Sequence, residues 1–381
     1  MNIVVAIDSF KGSLSSLEAG YAIKEGIKRV DSTINVKVRP LADGGEGTVD
    51  ALTGGMNGIL HTITVTGPLG EPVSCTYGII KHLGTAIIEM SGAAGITLVP
   101  EAKRNPLHTT TYGVGEVIKD AIFKGCRKFV IGIGGSATND GGVGMLMALG
   151  YEFMDSFNEP VAPGAKGLSE IVSISDENVI PELKECYFRI ACDVTNPLCG
   201  ERGCSAVFGP QKGATPPMIL QMDNWMSAFA SLVKVTHPAS NSNHPGVGAA
   251  GGLGFAFHTF TNAVLESGVK IVLEETRLED YVKDADIVIT GEGCMDRQTA
   301  MGKAPIGVAK LAKKYHKIVL GFAGCITEMA TECNLEGIDA FFPILRSVVT
   351  LEEAMKPENA KSNLADTVEQ VFRLIVQCRQ P

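Results

Sequence analysis

Both ends of the chain alternate between short apolar runs and stretches with helical periodicity. The run IVVAI at 3–7 is continuous and rich in β-branched residues, which is typical of a strand buried on both faces of a parallel sheet. A loop at 8–13 follows, and Ser15 and Glu18 have the spacing of a capping box ahead of an apolar-periodic helix. This order of strand, loop and helix predicts half of a βαβ unit.

The last quarter of the chain repeats this alternation. Its apolar runs predict strands at 287–289, 318–320 and 340–344, a glycine loop at 291–293, and helices over 306–315 and 364–376. Both ends of the chain are therefore expected to contribute to one parallel α/β sheet.

The middle of the chain follows a different pattern. Residues 73–80 and 85–90 resemble paired antiparallel strands, whereas a strand at 129–131 runs directly into a glycine loop at 132–142. We therefore predict an α/β protein of two domains. A flavodoxin-like or Rossmann-like parallel domain comprises 1–65 and 283–381, and an inserted mixed α/β domain with the glycine-rich phosphate-binding loop comprises 66–282.

Composition and charge exclude several classes of protein. The 381 residues, 45% hydrophobic and 20% charged, are typical of a globular chain and not of a disordered or fibrous one. The net charge of −9, without a basic run, predicts no nucleic-acid or membrane partner. The N-terminus lacks the basic start of a signal peptide, and no apolar run approaches the roughly 18 residues of a membrane span. The 10 cysteines form no C-x-x-C pair, which favours reduced thiols in the cytoplasm.

Glycine clusters with an acidic neighbour recur where predicted strands end. The carboxylates of these loops belong to Asp43, Glu46, Asp140, Asp193, Glu292 and Asp296. Glycine loops and helix N-termini present N–H groups to anions, and carboxylates are suitable ligands for Mg²⁺. A glycine and aspartate loop is also a common way to turn a chain. The recurrence, more than any single loop, therefore indicates a site for phosphate and metal.

Other chemistries fit individual segments. The segment 132–137 matches G-x-G-x-x-[GA], with Asp155 about 20 residues further on, so an NAD(P)-dependent oxidoreductase for a small hydroxy acid is the main alternative. Against it, the segment 139–142 interrupts the expected helix and places a carboxylate where a pyrophosphate would lie. Weaker alternatives are a thiolate metal site, histidine ligands or a serine nucleophile at Cys192, Cys199, Cys204, His108, His258 and Ser136.

Six segments, in the same order along the chain, resemble bacterial glycerate kinases of the glycerate 2-kinase type. They are DSFK at 8–11, ADGGEGT at 42–48, IGIGGSATNDGG at 131–142, ACDVTNPL at 191–198, FGPQKG at 208–213 and TGEG at 290–293. The resemblance implies ATP-dependent phosphorylation of D-glycerate with Mg²⁺, release of ADP, a cytoplasmic enzyme, and two α/β domains with the site in the cleft between them. It favours 2-phosphoglycerate as the product.

Two positions depart from the pattern of this family. Ile7 stands where a proline usually precedes Asp8, and Cys294 stands where an arginine often follows Gly-Glu-Gly. The second departure removes one cation from the expected anion contacts.

The residues and the resemblance together define a set of candidate site residues. The candidate catalytic residues are Asp8, Asp193 and Asp296, each as general base or metal ligand, and Lys11 as an anion contact. The candidates for nucleotide phosphate binding are Gly132, Gly134, Gly135, Ser136, Asn139, Asp140 and Gly141. The candidates for substrate binding are Ser9, Asp43, Gly44, Gly45, Glu46, Asn196 and Lys212. The candidate magnesium ligands are Asp193 and Glu292.

Overall fold

The buried apolar runs form strands in the computed structural model, which describes residues 1–379. The strands are β1 (Asn2–Val5), β2 (Asn35–Val38), β3 (Ile59–Thr66), β4 (Pro72–Ile80), β5 (Thr85–Glu89), β6 (Lys128–Gly132), β7 (Glu152–Met154), β8 (Ser173–Ser175), β9 (Tyr187–Ala191), β10 (Ala263–Glu266), β11 (Ile287–Met295), β12 (Ile318–Ile326) and β13 (Ala340–Pro343).

The helices cover the amphipathic segments between these strands. They are α1 (Ser16–Val30), α2 (Thr48–Gly55), α3 (Ser91–Ala94), α4 (Tyr112–Phe123), α5 (Val143–Ala148), α6 (Cys204–Phe208), α7 (Pro216–Thr236), α8 (Ala249–Phe260), α9 (Gly268–Glu275), α10 (Leu278–Val282), α11 (Arg297–Ala300), α12 (Ala304–Lys313), α13 (Glu332–Leu335), α14 (Leu351–Met355) and α15 (Pro357–Cys378). Over residues 1–379, none of the helices has both the length and the apolar character needed to cross a membrane.

One compact unit consists of Met1–Asp43, Asp50–Asn57 and the chain from Val269 onward. Among the described residues its sheet has five strands, all parallel, in the order β13, β12, β11, β1, β2. Ile3 of β1 pairs with Val36 of β2 on one side and with Ile287 of β11 on the other. The expectation of a parallel sheet built from both ends of the chain is thus confirmed.

Strand β1 lies where the strand order of this sheet reverses. The chain leaves β1 to form β2 on one side, and much later β11 pairs on the other side. Helix α1, between β1 and β2, begins at the expected capping box, in which Ser15 Oγ accepts the Glu18 N–H at 3.3 Å and Glu18 Oε2 accepts the Ser15 N–H at 2.8 Å. Ligands of open α/β sheets bind outside the carboxyl ends of strands at such a reversal. The residues that end β1 and β11 therefore hold the favoured position.

The second compact unit consists of Gly44–Val49 and Gly58–Gly268. Within residues 1–379 its main sheet has six strands in the order β10, β9, β6, β5, β4, β3. Strand β4 pairs antiparallel with β3 and β5, whereas the pairs among β5, β6, β9 and β10 are parallel. The predicted mixed sheet and the antiparallel pair at 73–80 and 85–90 are confirmed. The core of this unit includes Phe129 and Phe188, whose stacked rings lie 4.7 Å apart.

The segment 291–293 belongs to strand β11, so the prediction of a loop there is wrong. Gly291 has a φ of 149°, and a Cβ at this position would lie 1.8 Å from the carbonyl oxygen of Phe322 on β12. Glycine is needed because the two strands approach closely, which is one of the usual reasons for a glycine inside a strand. The strand therefore continues to Met295 and carries Glu292 with it.

Candidate functional site

Asp8 is held at the carboxyl end of β1, next to β11. Its backbone N–H donates to the Gly291 carbonyl oxygen at 2.9 Å, which fixes the loop against β11. Its Oδ1 accepts the Ser9 N–H at 2.7 Å. The residue is only 6% exposed, although it carries a carboxyl group. Ser9 thus orients the carboxyl group of Asp8.

The environment of Asp8 disfavours its negative charge. Burial and the nearby carboxylates of Asp43 and Glu292 raise the pKa of Asp8 to about 7, while the Ser9 hydrogen bond and Lys11 act in the opposite direction. A carboxyl group with this pKa changes its protonation state near neutral pH. Such a group is suited to accept a proton from a substrate hydroxyl.

The end of β11 contributes a second group of polar side chains. Thr299 Oγ1 donates to Glu292 Oε1 at 2.5 Å, and Lys303 Nζ lies 3.6 Å from Glu292 Oε2. Asp296 is the N-cap of α11 and accepts the Thr299 N–H at 2.9 Å. Burial raises the pKa of Glu292, against the effect of Thr299 and Lys303. Thr299 and Lys303 therefore fix the position of the Glu292 carboxylate.

These two strand ends border a cavity of about 370 Å³ within the first unit. Both charged and apolar side chains line the cavity. The charged lining residues are Asp8, Lys11, Glu292, Asp296 and Lys303. The apolar lining residues include Phe10, Ile344, Leu345, Leu351, Ala354 and Met355. Asp43 belongs to the same cluster, because its Oδ2 lies 4.0 Å from Lys11 Nζ.

Sequence reasoning missed Thr299 and Lys303, which lie beside the carboxylates of β11. Asp296 and Thr299 form a capping box, with the Asp296 N–H donating to Thr299 Oγ1 at 3.0 Å. The spacing D-x-x-T before a helix was a detectable signal of this motif. The approach of Lys303 to Glu292 depends on how α11 and α12 follow β11, and no local pattern indicates it.

The glycine loop at 132–142 follows β6 in the second unit. A Cβ at Gly132 would lie 2.2 Å from the Gly44 carbonyl oxygen, so only glycine allows the two loops to approach this closely. Gly134 and Gly135 are exposed at the tip of the loop, and the residues from Ser136 onward turn inward and are buried. Helix α5 starts at Val143, as expected from the interruption at 139–142. The exposed glycines therefore offer backbone N–H groups ahead of a helix.

Asp140 is buried within this loop and accepts hydrogen bonds from its neighbours. Its Oδ2 accepts the N–H and the hydroxyl of Thr111, each at 2.8 Å, and the Gly144 N–H at 3.3 Å. Its Oδ1 accepts the Gly142 N–H at 3.1 Å. Burial raises the pKa of Asp140, and these hydrogen bonds oppose the rise. The buried carboxyl group therefore fixes the conformation of the loop through these hydrogen bonds.

Lys212 is also buried and holds the same loop. Its Nζ donates to Ser136 Oγ and to the Thr138 carbonyl oxygen, both at 2.6 Å. Burial lowers the pKa of Lys212 to about 8, although nearby Cys204 and Asp140 raise it. Asn139 is buried beside it and donates from Nδ2 to Ser205 Oγ at 2.9 Å. Lys212 thus contacts the underside of the loop.

The remaining candidates of the second unit lie at other strand ends. Asp193 is exposed after β9, and its Oδ1 accepts the Gly268 N–H at 3.1 Å. Asn196 Nδ2 donates to the Arg202 carbonyl oxygen at 2.8 Å. Gly44, Gly45 and Glu46 precede α2; Gly44 is buried against Ala191, the Gly45 carbonyl oxygen accepts the Thr48 hydroxyl at 2.7 Å, and Glu46 is exposed.

The weaker candidates are not gathered into a site. His108 is exposed, and His258 stacks on His244 with ring centroids 4.2 Å apart. Across residues 1–379, no group of three or more His, Cys, Asp or Glu side chains is arranged to hold a metal ion.

Both units place glycine loops and carboxylates outside the carboxyl ends of parallel strands, which is the arrangement of α/β enzymes that bind anionic ligands. The family model described as the glycerate kinase family matches residues 3–376. The chain is 47% identical to a glycerate kinase of Haemophilus influenzae over 98% of this chain and 99% of that protein. It is 46% identical to the glycerate 2-kinase of Escherichia coli over 93% of both.

The similarity extends to a solved structure. A crystal structure described as glycerate kinase 2 from Salmonella typhimurium matches all of both chains, with a TM-score of 0.93 and 44% identity. The chain belongs to the glycerate kinase family, which is a family of phosphotransferases.

Proposed function

We propose that this enzyme transfers the γ-phosphoryl group of ATP to D-glycerate and releases ADP and 2-phosphoglycerate. Membership of the glycerate kinase family supports the reaction. The name of the similar Escherichia coli enzyme, glycerate 2-kinase, supports the position of the phosphate. The ten cysteines, all present as thiols, are compatible with action in the cytoplasm.

The observation that carries the chemical proposal is the buried carboxyl group of Asp8 on the cavity wall. In the proposed step, the glycerate hydroxyl oxygen attacks the γ-phosphorus, the bond from this phosphorus to the bridging oxygen of ADP breaks, and the hydroxyl proton moves to Asp8. A carboxyl group with a pKa near 7 is mostly deprotonated at slightly alkaline pH and can therefore accept this proton. Asp8 is therefore the proposed general base.

Asp8 is favoured over the two other candidate carboxylates because of their contacts. Asp296 is committed to the N-cap of α11, where Thr299 occupies its Oδ1. Asp193 is exposed and accepts the Gly268 N–H, and bonds of this kind to backbone N–H groups are common for aspartates in turns. The environment of Asp8 raises its pKa toward the range that proton transfer requires.

The cations of the cavity suit the charge of the reactants. Lys11 is largely exposed, with 64% of its side chain accessible, and Lys303 is one-third exposed. Both can reach an anion in the cavity that they line, such as a carboxylate or a phosphate. Ser9 and Asp43 are proposed to contact the substrate beside them. For the nucleotide phosphates we propose the exposed backbone of Gly134 and Gly135, with the rest of the 132–141 loop and Lys212 holding it in shape.

Magnesium is the expected companion of ATP in this reaction. Mg²⁺ in kinase sites is commonly held by one or two carboxylates together with phosphate oxygens and water. Glu292 would supply such a ligand, and a cation would relieve the repulsion between the negative charges of Asp8, Asp43 and Glu292. The exposed carboxylate of Asp193 stays a predicted magnesium ligand. When bound, Mg²⁺ would neutralise charge on the phosphate oxygens.

The reaction is tested by incubating the purified protein with Mg-ATP and D-glycerate and recording ³¹P NMR spectra. We expect stoichiometric ADP and one phosphomonoester signal, whose coupling to a single carbon-bound proton identifies the 2-phosphate. A signal coupled to two protons would identify the 3-phosphate and refute the proposed position. Oxidation of glycerate that requires NAD(P)⁺, without ADP release, would refute the kinase reaction itself.

Thr299 is expected to act as a positioning residue for Glu292. Replacing Thr299 with Val removes the hydroxyl that donates to Glu292 and accepts the Asp296 N–H, while the side-chain shape is kept. We expect kcat/KM to fall by about 10-fold, because a misplaced ligand group weakens transition-state stabilisation. Thr299→Ser retains the hydroxyl and is the control. Equal activity of Thr299→Val and the parent enzyme would contradict this role, as would equal losses in the Val and Ser variants.

A further inference from the structure

Two cysteines face each other on the wall of the cavity, outside the proposed chemistry. Cys294 of β11 is the direct register partner of Cys325 of β12. Both line the cavity, so their side chains lie on the same face of the sheet. Cys294 is partly exposed and Cys325 is exposed, so reagents in solution can reach the pair.

The geometry of this pair is compatible with a disulfide. Neighbouring strands lie about 4.7–4.9 Å apart, and disulfides join Cα atoms that are about 4.4–6.8 Å apart. The Cys325 side chain lies close enough to Cys294 to contribute to the raised pKa of the Cys294 thiol. Disulfides also need Cβ atoms about 3.5–4.5 Å apart, slightly closer than this strand spacing, so joining the two sulfur atoms requires a small movement of the two strands toward each other.

Another thiol lies close to this part of the cavity and is a possible competitor. Cys333 is fully buried, and its Sγ approaches the Asp296 carbonyl oxygen at 4.0 Å. Because a buried thiol is poorly accessible to a dissolved oxidant, Cys333 should react slowly. The exposed pair should therefore react first.

We propose that Cys294 and Cys325 form a modification site, at which small-molecule disulfides generate a reversible intramolecular disulfide that lowers the activity of the enzyme. The effect on activity rests on the proposed kinase function, whereas the formation of the disulfide does not.

The chemistry is two successive thiol–disulfide exchanges. The Cys325 thiolate attacks one sulfur of the small disulfide, forms a mixed disulfide and expels one small thiolate. Cys294 then loses its proton and attacks the Cys325 sulfur of this mixed disulfide, which expels the second small thiolate. The two released thiolates take up the two protons from the cysteines, so the protein loses two protons and two electrons while the small disulfide gains them.

The surroundings indicate which cysteine attacks first. Cys294 is only partly exposed on the cavity wall. Cys325 is the more exposed of the two and meets the oxidant directly. Cys325 should therefore form the mixed disulfide, and Cys294 should complete the exchange.

The position of the disulfide explains the expected loss of activity. Cys294 lies between Glu292 of β11 and Asp296, which directly follows this strand, and Gly293 and Gly324 line the cavity beside it. Joining the sulfur atoms changes the spacing of β11 and β12 at this point. A misplacement of about 1 Å can cost about 10²-fold in rate, so we expect a smaller displacement to cost about 10-fold.

The first test maps the disulfide in the parent protein. The protein is equilibrated with defined ratios of oxidised to reduced glutathione, and the exchange is stopped with acid. Unreacted thiols are then alkylated, and peptides are mapped by mass spectrometry without reduction. We expect a peptide pair joined through Cys294 and Cys325. This pair should be absent from Cys294→Ser and Cys325→Ser, and present in Cys378→Ser, which removes an exposed thiol on α15. Crosslinks confined to Cys333 or other cysteines would overturn the proposal.

The second test follows activity in the same samples. Closure of the disulfide should lower kcat/KM by about 10-fold, and dithiothreitol should restore it. The double variant Cys294→Ser/Cys325→Ser should keep its own untreated activity in oxidised glutathione. Full activity of the crosslinked parent would refute the effect on the enzyme. If the reduced protein shows no kinase activity, the proposed function fails, while the peptide map still decides whether the modification site exists.

Discussion

Asp8→Asn is expected to lower kcat for glycerate phosphorylation by about 10²–10⁴-fold, the usual cost of losing a general base. The amide can still accept the Ser9 N–H, so the loop after β1 should keep its conformation. It cannot accept the proton of the substrate hydroxyl. Steady-state kinetics at saturating ATP measure the effect. Asp155→Asn, which changes a carboxylate in an exposed turn outside the candidate site, is the comparison and should leave kcat close to that of the parent.

The same substitution is expected to stabilise the protein at alkaline pH. The pKa of Asp8 is raised by burial from its ordinary 3.8 to about 7, so folding favours the protonated form. This contribution to stability is complete below about pH 4 and is lost as the pH rises through about 7. Asn carries no charge, so Asp8→Asn should exceed the parent in stability at pH 8, by at most about 1.4 kcal/mol for each unit by which the pKa is raised, and should match it more closely at pH 4.

Thermal unfolding of both proteins at pH 5 and pH 8 checks this sign. The activity of the parent should also fall as the pH decreases below about 7, because the protonated carboxyl cannot act as a base. A variant that is inactive but no more stable at pH 8 would show that Asp8 is not strongly desolvated. A variant with parent-like kcat would show that another group accepts the proton.

Asp140→Ala is expected to destabilise the second unit by about 3 kcal/mol or more, the largest effect on stability that we predict. The carboxylate accepts two bonds from Thr111 and one each from Gly142 and Gly144, all buried. Alanine leaves these donors without an acceptor. The midpoint of thermal unfolding should fall by about 6 °C or more, and the glycine loop should become more susceptible to proteolysis.

Asp155→Ala is the matched control for this prediction. Asp155 also accepts two backbone N–H bonds, from Phe157 at 2.8 Å and Glu159 at 3.0 Å, but in an exposed turn. Water can replace its carboxylate there, so we expect a loss of about 1 kcal/mol or less. Equal losses in the two variants would contradict the argument, because burial would then not determine the cost.

Local patterns predicted much of the fold because the forces that form single elements act over a few residues. The continuous apolar run of β1 and the capping box of α1 each involve only a few consecutive residues. The antiparallel pair β4 and β5 has a short connection, so its pairing was visible as well. Gly291 was misread because a glycine required by the approach of β12 looks, in sequence, like a glycine required by a turn.

The sequence predicted which polar residues lie at strand ends. It did not predict how deeply each side chain is buried or which groups surround it. Lys212 was expected to contact the substrate; the structure buries it to 2% exposure beneath the glycine loop. Asp8 and Asp193 looked equivalent in sequence, since each follows an apolar strand. Only the fold separates them, by burying Asp8 near Asp43 and Glu292 and leaving Asp193 exposed.

The sequence by itself determined the α/β class, the contribution of both chain ends to one parallel sheet, the glycine loops after strands, and the resemblance to the glycerate kinases. The tertiary structure alone decided the pKa of Asp8, the direction of Lys212 and the pairing of Cys294 with Cys325. The physical reason is the separation along the chain of the residues that interact. Hydrophobic periodicity and capping act between neighbours in sequence, whereas exclusion of water and interactions between charges depend on groups that folding brings together from distant parts of the chain.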